Sequence, residues 1–358
     1  MISVLTPTSI IHSPHLPVAL MSNDLNGKIP RSFAQLPKLD VLWLERNQLS
    51  GDSTQGDLDF LTEMTNLTQL VLDYNSEIVG TLPDLSKLTK LKQLSLSNTG
   101  LGGSLPQSLS SLTALRRLYL DDCRFEGSVE VLQSMNLTHV YLEDNMFTGN
   151  IDDNFFAEAS SLVHLDASNC SFSGTVPGHL FKLSDLTVLD LSMNSLEGQL
   201  PDEDLSSVQE SKLEFLSLHT NNITGSIPSS ISKLKSVTTL DLSINQFTNT
   251  IPSSISDLTN LDILFLGRNN FDTGPVPEWI RSMTGLTELS LKNASLTGNI
   301  PEWLGDLTNL TFLDLGENEL MDTIPQSLGS LSELMVLILN RNKLTGKLGL
   351  GGLSKLGK

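Results

Sequence analysis

A chain of 358 residues with 39% apolar and only 5% aromatic content can bury a large core, and leucine and isoleucine must build most of it. The 41 acidic residues against 22 basic ones leave a net charge of −19, a field that repels phosphate backbones and anionic lipid and argues against a nucleic-acid partner. Two cysteines, Cys123 and Cys170, are too few for a disulfide scaffold, and no apolar run approaches a membrane span, so no direct membrane insertion is expected within this chain.

The first residues, Met1 to His12, lack a basic leader region, and Pro7, Pro14 and Pro17 interrupt the apolar stretch, a poor match to a signal peptide. Residues 1–14 read as a non-repeat segment. From residue 15 onward one phrase recurs. Its fullest form runs from Leu186 to Pro201, L-x-x-L-x-L-x-x-N-x-L-x-G-x-L-P, and returns at Val237 to Pro252 and Leu310 to Pro325. Taking the asparagine as reference, the series is Asn23, Asn47, Asn75, Thr99, Cys123, Asn145, Cys170, Asn194, Asn221, Asn245, Asn269, Ala294, Asn318 and Asn342, spaced 22 to 28 residues apart. A period of that length marks a stack of coils, each completing its core only against its neighbours. The repeat domain is expected over 15–348 as one continuous unit, with 349–358 a truncated or divergent end.

Each coil divides in two. The segment typified by Val188 to Leu191 alternates in and out and predicts a short strand. Some twenty residues to the next strand suit a crossover rather than a hairpin, so the strands are parallel. The reference asparagine carries both a donor and an acceptor and can satisfy buried turn amides from inside. Thr99 can do half of this, Cys123 and Cys170 do it weakly through the thiol, and Ala294 not at all, which predicts a weak point in the turn after Ala294. The second half, Gly-x-Ile/Leu-Pro plus a piece such as Ser229 to Leu234, predicts a 3₁₀ or single helical turn after a proline stop. True helices are expected at Asp57 to Met64, Asp202 to Lys212 and Asp152 to Ser161.

These words resemble the plant-type leucine-rich repeat, and Gly225 to Pro228 and Gly298 to Pro301 match its G-x-I-P phrase letter for letter. The resemblance covers roughly residues 15 to 348. It implies an α/β repeat solenoid: a right-handed arc of about 14 coils with a concave parallel β-sheet, a convex side of short 3₁₀ or helical turns, and a second short sheet at the G-x-I-P segment. The family includes ectodomains of receptor-like kinases and receptor-like proteins, and polygalacturonase inhibitors, which bind peptides, hormones or other proteins. Its members close both ends with cysteine-paired caps; this chain enters and leaves in mid-repeat, which predicts a fragment, an incomplete gene product or divergent ends. No kinase signature occurs in it.

The outward strand positions lie six, four and two residues before each reference position. Asp190, Ser192, Asp241, Ser243 and Asp314 recur by repeat position and read as scaffold. Departures cluster in the fourth to sixth repeats: Arg117, Tyr119, Asp121; His139, Tyr141, Glu143; His164, Asp166; with Trp43 and Glu45 nearer the start. Because Tyr, Trp and Arg dominate binding hot spots, these residues form the candidate ligand-binding patch, weighed against aromatics that merely face out. Phe215, Ile263, Phe265 and Phe312 are a second, apolar candidate, or an assembly face. His139 and His164, on one ladder about 5 Å apart, could in principle bind a metal with Asp166 or Glu143, or titrate together between neutral and mildly acidic pH; a pH switch is the stronger reading and no metal is expected.

Catalysis finds little support. Ser217 and His219 share a strand on a flat face without oxyanion donors, and Gly349 to Ser354 misses the dinucleotide pattern. The expected function is a non-enzymatic, cofactor-free module that binds a protein or peptide through its concave face, within a cell-surface receptor-like protein. A secreted inhibitor of a cell-wall hydrolase and an intracellular scaffold are the alternatives. Sequons at Asn66, Asn136, Asn169, Asn222, Asn293 and Asn309 are compatible with an extracellular or cell-surface location, with the cytoplasm as the alternative.

Overall fold

A computed structural model describes residues 15–347. The expected N-terminal segment 1–14, the terminal stretch 349–358 and the Gly349 to Ser354 pattern lie outside the described residues. The described part divides into two compact units, one of residues up to 149 with 154–171, the other of 150–153 and residues from 172.

In the first unit the strands Leu16–Ala19, Leu39–Trp43, Gln69–Val71, Gln93–Ser95, Arg117–Tyr119, His139–Tyr141 and His164–Asp166 pair in that order, all parallel. In the second, Val188–Asp190, Phe215–Ser217, Thr239–Asp241, Ile263–Phe265, Glu288–Ser290, Phe312–Asp314 and Val336–Ile338 do the same. Period-2 alternation explains each strand: Leu189 and Leu216 point in and are buried, whereas Val188, Asp190 and Phe215 stay half-exposed on the sheet face. Leu186, Leu191 and Leu196 complete the buried set of that coil. Phenylalanines thicken the cores; Phe125 and Phe147 stack at 6.1 Å in the first unit.

A second series of parallel strands follows the reference positions. In the first unit it runs through Asn26–Lys28, Gln48–Asp52, Asn75–Thr81, Thr99–Ser104 and Arg124–Gly127, with Gly127 opposite Phe147. In the second it is broken: Thr224–Gly225 pairs Gln246–Phe247, Thr297–Asn299 pairs Glu319–Asp322, and only an isolated Gly274–Leu296 bridge lies between.

The asparagine ladder has the expected chemistry. Asn75 Nδ2 donates to Leu44 O of the preceding coil at 3.1 Å and to Leu72 O of its own at 2.8 Å, while Oδ1 accepts Leu49 N–H at 2.9 Å. Asn47, Asn145, Asn221, Asn245, Asn269, Asn318 and Asn342 repeat this pattern, and Asn194 Oδ1 takes Phe172 N–H at 3.0 Å. The cysteines substitute weakly: Cys123 Sγ donates to Leu96 O at 3.1 Å and Cys170 Sγ to Leu142 O at 3.4 Å. Both thiols are free, and burial pushes the Cys170 thiol up to about 12. The same bonds hold an unfavourable backbone. The residue before every reference position, from Ser22 to Arg341, is left-handed, with φ between 46° and 58°, including the β-branched Ile244.

Three expectations need correction. The weak point does not follow Ala294: Ala294 and Leu296 N–H both donate to Asn318 Oδ1. It falls one coil earlier, where no hydrogen bond reaches Phe271 N–H, the group that a side-chain oxygen at 294 would have accepted. Asp57 to Met64 is not an α-helix but the 3₁₀ segment Asp59–Glu63, closed by Leu61 N–H to Leu58 O at 3.0 Å and Met64 N–H to Leu61 O at 3.1 Å. Asp152 to Ser161 is a run of turns containing Phe156 at φ 58°. Among the described residues the α-helix is Asp202–Ser207, which three acidic residues in its first turn favour. Elsewhere proline sets up the 3₁₀ turns, as Pro228 (φ −72°, ψ 147°) does before Ser229–Lys233. No helix among the described residues is long and apolar enough to cross a membrane.

Candidate binding face

In-register pairing in the first unit puts Arg117, His139 and His164 on one ladder, and Tyr119, Tyr141 and Asp166 on the next. The rings then choose their own partners. Tyr119 and Tyr141 stack at 4.8 Å and 18°, and Tyr141 leans diagonally onto His164 at 4.2 Å and 23°. His139 and His164 stack with their planes parallel within 7° and their centroids 6.5 Å apart. Adjacent strands stand about 4.8 Å apart, so a cross-strand ladder brings aromatic rings naturally to stacking distance. Trp43 does not join this stack: Val71 and Ser95 separate it from Tyr119 on the ladder, about 14 Å by strand spacing, and its Nε1–H donates to Gln69 Oε1 at 3.1 Å. Tyr74 also stands apart, exposed in a left-handed turn beneath the Arg46 guanidinium, 4.3 Å from its ring centroid.

The third ladder is acidic. Asp73 accepts Ser95 Oγ–H at 2.7 Å and Ser97 N–H at 2.9 Å, and the Ser97 hydroxyl donates to Asp121. The two carboxylates therefore converge on the coil between them. Asp166 receives Ser168 N–H at 3.0 Å and Ser168 Oγ–H at 2.7 Å. One Glu143 oxygen, Oε2, is buried without a hydrogen-bond partner, as is one of Glu45. No Lys or Arg among the described residues pairs with Glu45, Asp73, Asp121 or Glu143.

Desolvation and crowding of like charge shift the titrations. Burial, reinforced by the Asp166 carboxylate, pushes Glu143 up to about 8. Burial pushes Asp73 up to about 6 and holds Asp121 above the usual carboxylate range. The Tyr141 phenol rises to about 12, again chiefly through burial. His164 falls to about 4 through burial and the neighbouring His139, and His139 is lowered by burial and Arg117. Both imidazoles are lowered, His164 to about 4, while the carboxyl brought into the mildly acidic range is that of Asp73, at about 6, and Glu143 lies above neutrality at about 8. The described residues contain no group of three or more His, Cys, Asp or Glu side chains arranged to hold a metal ion.

Asp73, Ser95 and Ser97 escaped the sequence reading because Asp and Ser at those positions look like ordinary repeat filler. The usable signal was positional: Asp73, Asp121 and Glu143 share the ladder two residues before the reference position. In the second unit Phe265 and Phe312 meet edge to face at 6.0 Å, whereas His219 turns its Nδ1 to Thr220 Oγ1 at 2.9 Å.

Residues 162–299 match a family profile described as a leucine-rich repeat region, and residues 90–112 and 309–331 match the leucine-rich repeat profile. From Arabidopsis thaliana, receptor-like protein 35 is 44% identical over 84 residues, 23% of this chain and 9% of its own. Receptor-like kinase TMK2 from the same plant is 34% identical over 108 residues, 29% of this chain and 12% of its own. Among solved structures, the ectodomain of the Arabidopsis receptor kinase HAESA, in complex with an extended IDA peptide hormone, superposes with a TM-score of 0.76 at 30% identity over 92% of this chain and 58% of that one. The ectodomain of GASSHO1/SCHENGEN3, in complex with CASPARIAN STRIP INTEGRITY FACTOR 2, gives 0.75 at 29% identity over 93% and 42%. The aligned part thus spans about a tenth of these curated relatives and about half of the two ectodomains.

Proposed function

This chain is a plant-type leucine-rich repeat protein, and from that premise we propose that it is a non-catalytic recognition module, over residues 15–348, that holds a protein or peptide ligand on its strand-lined face. The observation that carries the reading is the Tyr119–Tyr141–His164 stack beside the uncompensated carboxylates of Asp73, Asp121 and Glu143. Stacked tyrosines offer a large, rigid, amphipathic contact at low entropic cost. The unpaired acids make the ligand segment that covers them basic, since an opposite charge both steers encounter and relieves the like-charge crowding. Likeness to ectodomains solved with peptide ligands supports the same reading, and receptor-like relatives support a place at the cell surface.

Isothermal titration of candidate secreted basic peptides against the wild type, Tyr119→Ala and Tyr141→Ala tests the proposal. Each truncation is expected to weaken binding by about 2 kcal/mol, roughly thirtyfold. Unchanged affinity in both variants would place the ligand elsewhere.

A further inference from the structure

The Phe215–Ser217 strand departs from its neighbours at two outward positions. On either side the coils carry Asp-x-Ser, Asp190 with Ser192 and Asp241 with Ser243. Each carboxylate spends its Oδ1 on its own serine, accepting N–H at 2.9 Å in both and Oγ–H at 2.5 and 2.6 Å. The middle strand reads Ser217-x-His219 instead, and register places Asp190, Ser217 and Asp241 side by side on one face. A hydroxyl thus stands between two carboxylates whose rows lie roughly 10 Å apart, two strand spacings.

Ser217 is only 2% exposed, and its Oγ has no hydrogen-bond partner. Buried hydroxyls are ordinarily satisfied, so this one asks for an explanation. Neither Asp190 Oδ2 nor Asp241 Oδ2 receives a hydrogen bond, and no Lys or Arg among the described residues pairs with either. Burial raises the Asp190 carboxyl above its ordinary range. Phe215 lies two residues before Ser217 and His219 two after, both half-buried on the same face. Two carboxylates thus flank the buried Ser217 hydroxyl across the strands, with a ring before it and after it along the strand, and we refer to this arrangement as the slot.

We propose that this slot takes the guanidinium head of an arginine side chain. The planar guanidinium presents N–H donors on opposite edges, so it can serve Asp190 Oδ2 on one edge and Asp241 Oδ2 on the other while Ser217 Oγ accepts from beneath. Phe215 flanks the cation and its methylene stem. An ammonium is a point charge and cannot bridge the two rows, and a single metal ion needs its oxygens far closer together. The slot goes beyond the recognition reading and borrows from it only the source of the arginine.

The probe is N-acetyl-arginine amide, followed by saturation-transfer difference NMR on the whole chain. Saturable binding is expected, at least tenfold weaker for the neutral citrulline amide and for the lysine amide. Ser217→Val fills the slot without touching charge, and Asp241→Asn keeps an oxygen for Ser243 while removing charge. Each should weaken binding at least tenfold, with circular dichroism and Tm reporting that the variants fold. Asp257→Asn, an exposed carboxylate on a turn of the same unit, should leave it unchanged. Equal binding of the lysine and arginine probes overturns the slot, as does an Asp257→Asn loss matching that of Asp241→Asn. No arginine-probe signal, with peptide binding still sensitive to Tyr119→Ala, overturns the slot and keeps the recognition reading.

Discussion

Oδ1 of Asn318 accepts two hydrogen bonds at once, from Ala294 N–H at 2.9 Å and from Leu296 N–H at 3.0 Å. Asn318 thereby secures the turn of a coil whose own reference residue is only a methyl group. What the methyl cannot do is reach back one coil, to Phe271 N–H. Hydrogen exchange should therefore be fastest at the Phe271 amide and slow at Phe247, whose N–H donates to Asn269 at 3.1 Å. Equal protection at the two amides would remove the idea.

The value of each ladder residue should follow its hydrogen bonds. Asn145 Nδ2 serves Leu120, Leu142 and Glu143 carbonyls and its Oδ1 serves Phe125 N–H, so Asn145→Ala strands several buried groups and should cost about 3 kcal/mol or more. At Cys123 the thiol is a weak donor, and Leu101 N–H reaches only Thr99 Oγ1 at 3.4 Å. Cys123→Asn should therefore stabilise by about 1 kcal/mol. Urea denaturation of the two variants checks both signs.

Glu143 ties stability to pH. A carboxyl raised from 4.5 to about 8 means that the folded chain binds a proton the unfolded chain releases. Its stabilising contribution is fully present below about pH 4.5 and is lost as pH rises through 8. His164, lowered from 6.5 to about 4, acts oppositely, and its contribution is complete above 6.5. Between pH 6.5 and 8 the Glu143 slope stands clear of it, so Tm should fall across that window in the wild type and flatten in Glu143→Gln. A basic ligand on this face should bind more tightly as pH rises through 8, with that dependence lost in the same variant.

Two glycines should part company. A methyl at Gly305 would overlap the Ser327 carbonyl oxygen of the next coil, whereas at Gly285 the nearest atom, Leu261 O, is 3.9 Å away. Gly305→Ala should destabilise by about 2 kcal/mol, because backbone must move. Gly285→Ala should be neutral or stabilise by up to about 1 kcal/mol through the unfolded chain. Thermal melts of the pair decide the matter.

The period of the chain by itself determined the coil, the parallel strands, the three outward ladders and the inward asparagine row, because each follows from spacing along one repeat. It even ranked the weaker substitutes Thr99, Cys123 and Ala294 by the donors and acceptors they carry, though it placed the penalty of Ala294 one coil too late. The left-handed turn before every reference residue was hard to see, since no glycine occupies it and Arg, Tyr, Met and Ile stand there alongside Asn98, Asp122, Asp144, Asn169 and Asn293. Tertiary structure alone decided that Tyr141 leans on His164, that Asp73 and Asp121 converge on Ser97, and that Glu143 and Ser217 keep buried oxygens without partners. Those facts depend on which rotamer a side chain takes against the next coil and on how much water that coil displaces, and neither is written in the period of a single repeat.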